Sequence, residues 1–230
     1  MAINCAAAMH RLTKRPTLIL EVKPGPGDLA TFLGIRPRYS LVDLIDQHGW
    51  HESGRAFRFV AEHESGLHAL VAPETFGRPN AADAESVERA LGSLAQSFPF
   101  VVIDAGSTLT SSAVTALASS DVVMLVANPD VPCLRNVRRL SDALRVAGIV
   151  PERVRILLNR SSEHGVMPVA QIEKVLAREI DFQVASDYRT VAAALNAGVP
   201  IASLRQTELH QQVDSMARTL IGPNHAPAVF

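Results

Sequence analysis

Residues 98–106 read FPFVVIDAG, an apolar run closed by a carboxylate and then a glycine. The run Phe100–Ile103 shows no polar alternation, so it predicts a strand buried on both faces, as in a parallel sheet. Working outward, the same signature recurs at Thr17–Val22, Leu67–Ala72, Val122–Val126 and Val154–Leu158, with a weaker copy at Asp181–Ala185. Stretches of helical spacing separate these runs: Ala84–Phe98, Leu134–Ala147, Val169–Ala177, Arg189–Ala197, and a last one near Leu209–Ile221. The alternation predicts an α/β fold, a doubly wound, mostly parallel sheet covered by helices on both faces. No boundary rich in Pro, Gly or Ser divides residues 1–222, which are expected to form one domain. Pro73–Ala82 reads as a surface loop and residues 223–230 as a disordered tail.

Composition narrows the function classes. The chain has 230 residues, 47% of them hydrophobic, enough for a sizeable buried core. Basic and acidic residues number 22 and 23, a net charge of −1, so no global field favours nucleic acid or an anionic membrane. Cys5 and Cys133 are far apart and fit no metal spacing, which suggests free thiols in a reducing compartment. No apolar run approaches a membrane span. Arg11, Lys14 and Arg15 follow the apolar Ala2–Met9 rather than precede it, unlike a signal peptide, and the expected location is cytoplasmic.

Doubly wound sheets place their sites at the carboxyl ends of strands. After FVVI comes Asp104, in the form of a Walker B acid, which holds Mg²⁺ directly or through water. The competing reading is an Asp that caps the next helix, a task for which Ser107, Thr108 and Thr110 also qualify. After RILL comes Asn159, which would read a purine edge or simply form a turn. After LIL comes Glu21, leading into VKPGPGDLA, a loop that would lie beside phosphate or merely connect a strand to a helix.

These residues carry a family resemblance. LILEVKPGPGDLATFLGIRPRYSLVDLI resembles the segment after the first helix of MinD/ParA-type P-loop ATPases, most closely their CpaE/TadZ pilus-assembly branch. HESGLHALVAPE, FPFVVIDAG, ANPDVPCLRNVRRLSDALR, ILLNRSS and SDYRTVAAALNAGVPI follow in the family's order, so the resemblance covers nearly the whole chain. It implies a P-loop ATPase fold, ATP and Mg²⁺ as cofactors, and homodimers bridged by ATP. It also implies pilus or secretion machinery proteins as partners and a role in placing a Flp/Tad pilus machine, with recruitment to the cell pole or the inner membrane face. By the same resemblance Asp104 would serve magnesium, Asn159 the adenine, and Asp187 the loop beside the base. ParA/MinD-like partitioning or division-site placement is the alternative within the superfamily.

Two departures from the family stand out. A strand and a glycine-rich Walker A loop come before the helix that MAINCAAAM resembles, so Met1 would fall just beyond that loop. Physics reaches the same expectation: a helix leading into a parallel strand is the second half of a crossover unit, which needs a strand ahead of it. The first strand is therefore expected to be missing, beside the strand that ends at Asp104. KPGPGD does not replace the loop, because it lacks the Gly-Lys-Ser/Thr ending. A start codon assigned too far downstream and a truncated, noncatalytic scaffold are the two explanations, and many relatives carry a receiver-like domain upstream. The second departure lies where the family places two acids separated by one residue. Here Glu21 and Lys23 stand there, and Lys23 reverses a sign near the γ-phosphate site. Such a reversal changes a Coulomb energy by about 4 kcal/mol at an effective dielectric near 20, enough to impair hydrolysis. Lys23 would otherwise contact phosphate itself, or snorkel out of its loop.

Other clusters carry less. His48, His51, His63 and His68 with Glu52 and Glu64 match no zinc spacing. Ser107, Ser111 and Ser112 lack a nucleophile elbow. Arg135, Arg138, Arg139 and Arg145 lie at helical spacing, but Asp142 interrupts them, so a solvated or protein-docking face is favoured over nonspecific DNA binding. The end of the chain, NHAPAVF, lacks the basic amphipathic helix needed for direct membrane binding.

Overall fold

The structure is a computed structural model, and it describes residues 1–23, 26–47, 55–72, 83–162 and 167–222. The expected loop at Pro73–Ala82 lies outside the described residues, and so do the tail after Gly222, His48, His51 and Glu52. In chain order the elements are α1 (Ala2–Thr13), β1 (Thr17–Glu21), α2 (Leu29–Phe32), α3 (Leu41–Asp46), β2 (Ala61–Glu62), β3 (His68–Leu70) and α4 (Ala84–Ser97). They continue with β4 (Phe100–Asp104), α5 (Ser111–Ala118), β5 (Val123–Ala127), α6 (Val131–Val146) and β6 (Val154–Ser161). The last are α7 (Val169–Leu176), β7 (Phe182–Ala185), α8 (Tyr188–Ala197) and α9 (Glu208–Ile221). Short 3₁₀ turns lie at Arg55–Arg58, Pro151–Arg153 and Ile201–Ser203.

Six of these strands match the apolar runs of the sequence to within one to three residues at either end. The two-residue β2 carries no such run and pairs antiparallel with β3. All other pairings are parallel, as uninterrupted apolar strands predict. Among the described residues the strands do not form one continuous sheet. They form two, in the orders β2-β3-β1-β4 and β5-β6-β7. The break falls beside β4, the strand that ends at Asp104.

Both sheets rest on the same helices. Cys5, Ala8 and Met9 of α1 and Val213 and Met216 of α9 pack in one cluster with Phe100 and Val102 of β4, Met124 of β5 and Leu157 of β6. The opposite face of the first sheet is covered by α3 and α4, through Leu44, Leu91 and Leu94 on Leu18 and Leu20. That of the second is covered by α6 and α7, through Leu134, Leu144 and Ile172 on Leu125 and Ile156. Each fully buried Leu contributes about 1.5–3 kcal/mol relative to exposure. Burial follows the break: β1 is buried along its whole length, whereas every residue of β4 is only half-buried.

Helix starts are set by side-chain caps. Ser40 and Asp43 form a capping box on α3, and Asp83, Thr110, Asp130 and Asp187 cap α4, α5, α6 and α8. Thr110 is therefore the cap that follows β4, and Asp104 is not. At the other end of α5, Arg153 donates to the carbonyls of Leu117, Ala118 and Ser120, which satisfies acceptors that a helix end leaves open. Among the described residues, no helix is long and apolar enough to cross a membrane.

Candidate functional site at the strand ends

Register brings two acids together. β1 and β4 pair so that Glu21 lies directly opposite Asp104, both at the carboxyl ends of their strands. The Glu21 side chain is only 1% exposed, so its carboxylate needs partners from the protein itself. It has three. Oε1 accepts from Lys23 Nζ at 2.9 Å and from the Asp28 backbone N–H at 3.1 Å. Oε2 accepts from the Ala72 backbone N–H at 3.2 Å.

Glycine makes this enclosure possible. A Cβ built on Gly27 would lie 1.8 Å from Glu21 Oε2, so any side chain there would collide with the carboxylate. The second glycine of KPGPGD thus serves the close approach of its backbone to Glu21. Asp104 is more open, with 35% of its side chain exposed. Its Oδ1 accepts from the Gly106 N–H at 3.0 Å, and its Oδ2 lies 3.4 Å from Lys23 Nζ.

Lys23 joins the two acids. Burial pulls its pKa down, but the hydrogen bond to Glu21 and the charge of Asp104 outweigh burial, and the net shift is upward. Its stem lies against Gly106, whose φ of +66° suits glycine; a Cβ there would lie 3.4 Å from Lys23 Cγ. The α-amino group of Met1, at the start of α1, also feels Asp104 and Lys23, and burial lowers its pKa. One helical turn further on, burial pushes the Cys5 thiol up to about 11, which makes it a poor nucleophile at neutral pH.

The remaining sequence-predicted residues lie in the second sheet. Asn159, near the carboxyl end of β6, donates from Nδ2 to Asn128 Oδ1 at 3.0 Å. Asn128 follows β5 and donates its backbone N–H to Cys133 Sγ at 3.2 Å. Asp187 follows β7 and accepts from the Thr190 N–H at 3.0 Å as the cap of α8. Its pKa is lowered, first by hydrogen bonding to Thr190 and then by Thr207 and His210 nearby. The structure therefore brings Glu21, Lys23 and Asp104 into contact, and places Asn159 and Asp187 at the ends of two neighbouring strands.

Two of the histidines singled out in the sequence, His63 and His68, have local roles. His63 contacts Ser65 Oγ and the Gly198 carbonyl, and His68 packs against the rings of Phe57 and Phe98. Arg138 reaches the Val175 carbonyl at the edge of hydrogen-bonding range, 3.5 Å.

The trio does not fit a divalent metal as it stands. Mg²⁺ takes about six oxygens at 2.0–2.1 Å. Here both Glu21 oxygens and Asp104 Oδ1 already accept protein donors, and Asp104 Oδ2 faces an ammonium.

No family model matches the chain. The septum site-determining protein MinD of Thermotoga maritima is 22% identical over 227 residues, which is 95% of this chain and 81% of that protein. A ParA family ATPase from Chlorobium tepidum superposes with a TM-score of 0.87 at 21% identity, over 94% of this chain and 91% of that one. MinD of Pyrococcus horikoshii, solved with Mg-ADP, superposes at 0.77 and 20% identity, over 95% and 88%. At these identities the likeness defines the architecture, and the chain has the α/β, mostly parallel fold of the ParA and MinD ATPases.

Proposed function

We propose that the chain is a ParA/MinD-superfamily protein of the CpaE/TadZ branch that positions Flp/Tad pilus assembly machinery, and that it acts as a noncatalytic scaffold of that fold. The branch assignment rests on the ordered motifs from LILEVKPGPGDLA to SDYRTVAAALNAGVPI. One observation carries the noncatalytic part: an ammonium bridges the two strand-end acids that a magnesium-dependent reaction would use. On this reading the protein presents docking surfaces to a second copy and to pilus or secretion proteins, without a hydrolytic cycle. It needs no membrane segment of its own, since partners would recruit it to the pole or the inner membrane face.

An ATP-driven switch is the second reading, favoured by the paired amides of Asn128 and Asn159, which keep a polar edge suited to a purine. In that case Asn159 would hold the adenine, the loop at Asp187 would flank it, and Asp104 would serve Mg²⁺ after Lys23 moved away. Division-site placement also competes, given the likeness to MinD.

A deletion strain separates the placements. Loss or mislocation of Flp pili with normal septa supports the pilus role. Minicells or misplaced septa with normal pili would overturn it. Complementation with a Lys23→Asp variant addresses the scaffold reading separately: restored pili in the wild-type-complemented strain, with no gain from Lys23→Asp, is the expected result.

A further inference from the structure

We propose that the Lys23 ammonium is a resident cation, standing between Glu21 and Asp104 where a bridging divalent metal would stand and closing this end of the sheet to such metals. The inference concerns these three side chains alone and does not depend on which machinery the protein positions.

Electrostatics requires a cation here. Two carboxylates in register on neighbouring strands repel each other, and one of them is almost wholly removed from water. Lys23 Nζ lies 2.9 Å from one and 3.4 Å from the other. With two carboxylates and one ammonium the trio carries one net negative charge. A solvated lysine would extend away from the strand end. This one turns back to the acid two residues before it, and only 23% of its side chain is exposed.

Packing holds it in that place. The lysine stem runs along Gly106, where a Cβ would lie in ordinary van der Waals contact with Cγ at 3.4 Å and Cε at 3.5 Å. On the other side, Gly27 and the Asp28 N–H close over Glu21. Glu21 Oε1 thus takes both the ammonium and the Asp28 N–H, and the ammonium reaches across to the strand that ends at Asp104. Among the described residues, the two oxygens of Glu21 serve three donors, Asp104 Oδ1 serves one, and Asp104 Oδ2 faces Lys23. A divalent ion would have to displace a covalently tethered cation and find several oxygens that are already in use.

Removing the ammonium should open the site. Mn²⁺ is the probe, followed by the loss of its free-ion electron paramagnetic resonance signal in the absence of nucleotide. The wild-type chain and Lys23→Arg, which keeps the charge, should leave the signal near that of buffer. Lys23→Met should bind Mn²⁺ at least about tenfold more tightly than wild type, and Lys23→Met combined with Asp104→Asn should lose that gain. Circular dichroism verifies that each variant is folded.

Three results would overturn the inference. One is Mn²⁺ bound by the wild-type chain and released by Asp104→Asn, a comparison that needs no Lys23 variant. Another is a folded Lys23→Met that binds no better than wild type. Binding gained in Lys23→Met but retained after Asp104→Asn would also sink it, since the metal would then lie elsewhere.

Discussion

Glu21→Gln is the sharpest test of how the strand-end site is held. The substitution keeps shape and volume, so no cavity forms and the change is purely one of charge and hydrogen bonding. Glutamine offers one oxygen where glutamate has two. In its better orientation the oxygen stays at the Oε1 position and keeps Lys23 Nζ and the Asp28 N–H. The amide nitrogen then faces the Ala72 N–H, donor against donor, 3.2 Å away in the present geometry. The flipped orientation is worse, because it aims an N–H at an ammonium.

The magnitude follows from three contributions. The buried Ala72 N–H loses its acceptor, which costs about 1–3 kcal/mol. The bonds from Lys23 and Asp28 pass from a charged to a neutral acceptor, roughly 1 kcal/mol each. Relief of carboxylate desolvation offsets part of this, leaving a loss of about 3 kcal/mol. For a domain of this size, 1 kcal/mol shifts the melting temperature by about 2–4 °C, so a drop of roughly 6–12 °C is expected. Urea denaturation followed by circular dichroism should show a lower midpoint at unchanged slope. A variant as stable as wild type, or more stable, would refute the reasoning: the three contacts would then contribute less than the cost of burying the charge.

Further outcomes follow from the same geometry. Isothermal titration of this chain with Mg·ATP should give no more than weak binding, and a low-micromolar Kd would refute that expectation. Amides of β4 and β5 that do not bond to β1 or β6 should exchange with solvent at least about 100-fold faster than those of β1, since the sheet breaks between them; equal protection by hydrogen-exchange mass spectrometry would mean that something pairs those edges. The upward pKa shift of Lys23 fixes the sign of an alkaline effect. Its contribution is full below the ordinary lysine value of 10.5 and is lost as pH rises through the higher folded value. The stability gap between wild type and Lys23→Met should therefore narrow above about pH 10.5, and a gap constant to pH 12 would show that charge plays no part.

The fold was legible because its strands leave near-continuous apolar runs, as strands of a covered parallel sheet do, even where the cover is partial as on β4. Phe100–Ile103 and Val154–Leu158 needed no partner information to be recognised. β2 escaped because two residues carry no period, and its pairing with β3 is a tertiary event. α5 escaped as well: its eight residues, SSAVTALA, are too short for a clear helical period, and its cap is one of several hydroxyls in a row. At the site, the sequence pointed to Glu21, Lys23 and Asp104 as separate strand-end residues but could not say which of them touch. Contact depends on register, and Glu21 meets Asp104 only because β1 and β4 align Thr17 with Phe100. The backbone donors from Asp28 and Ala72 leave no trace in residue type at all. Gly27 did leave one, and its meaning differs from the phosphate loop that glycine-rich turns suggest. A glycine before a helix lets backbone approach a negative group closely. Here the negative group is the protein's own Glu21 carboxylate. The same chemistry that would cradle a phosphate has been turned inward to hold a strand-end acid, and Lys23 completes it with the charge that a bound cation would otherwise bring.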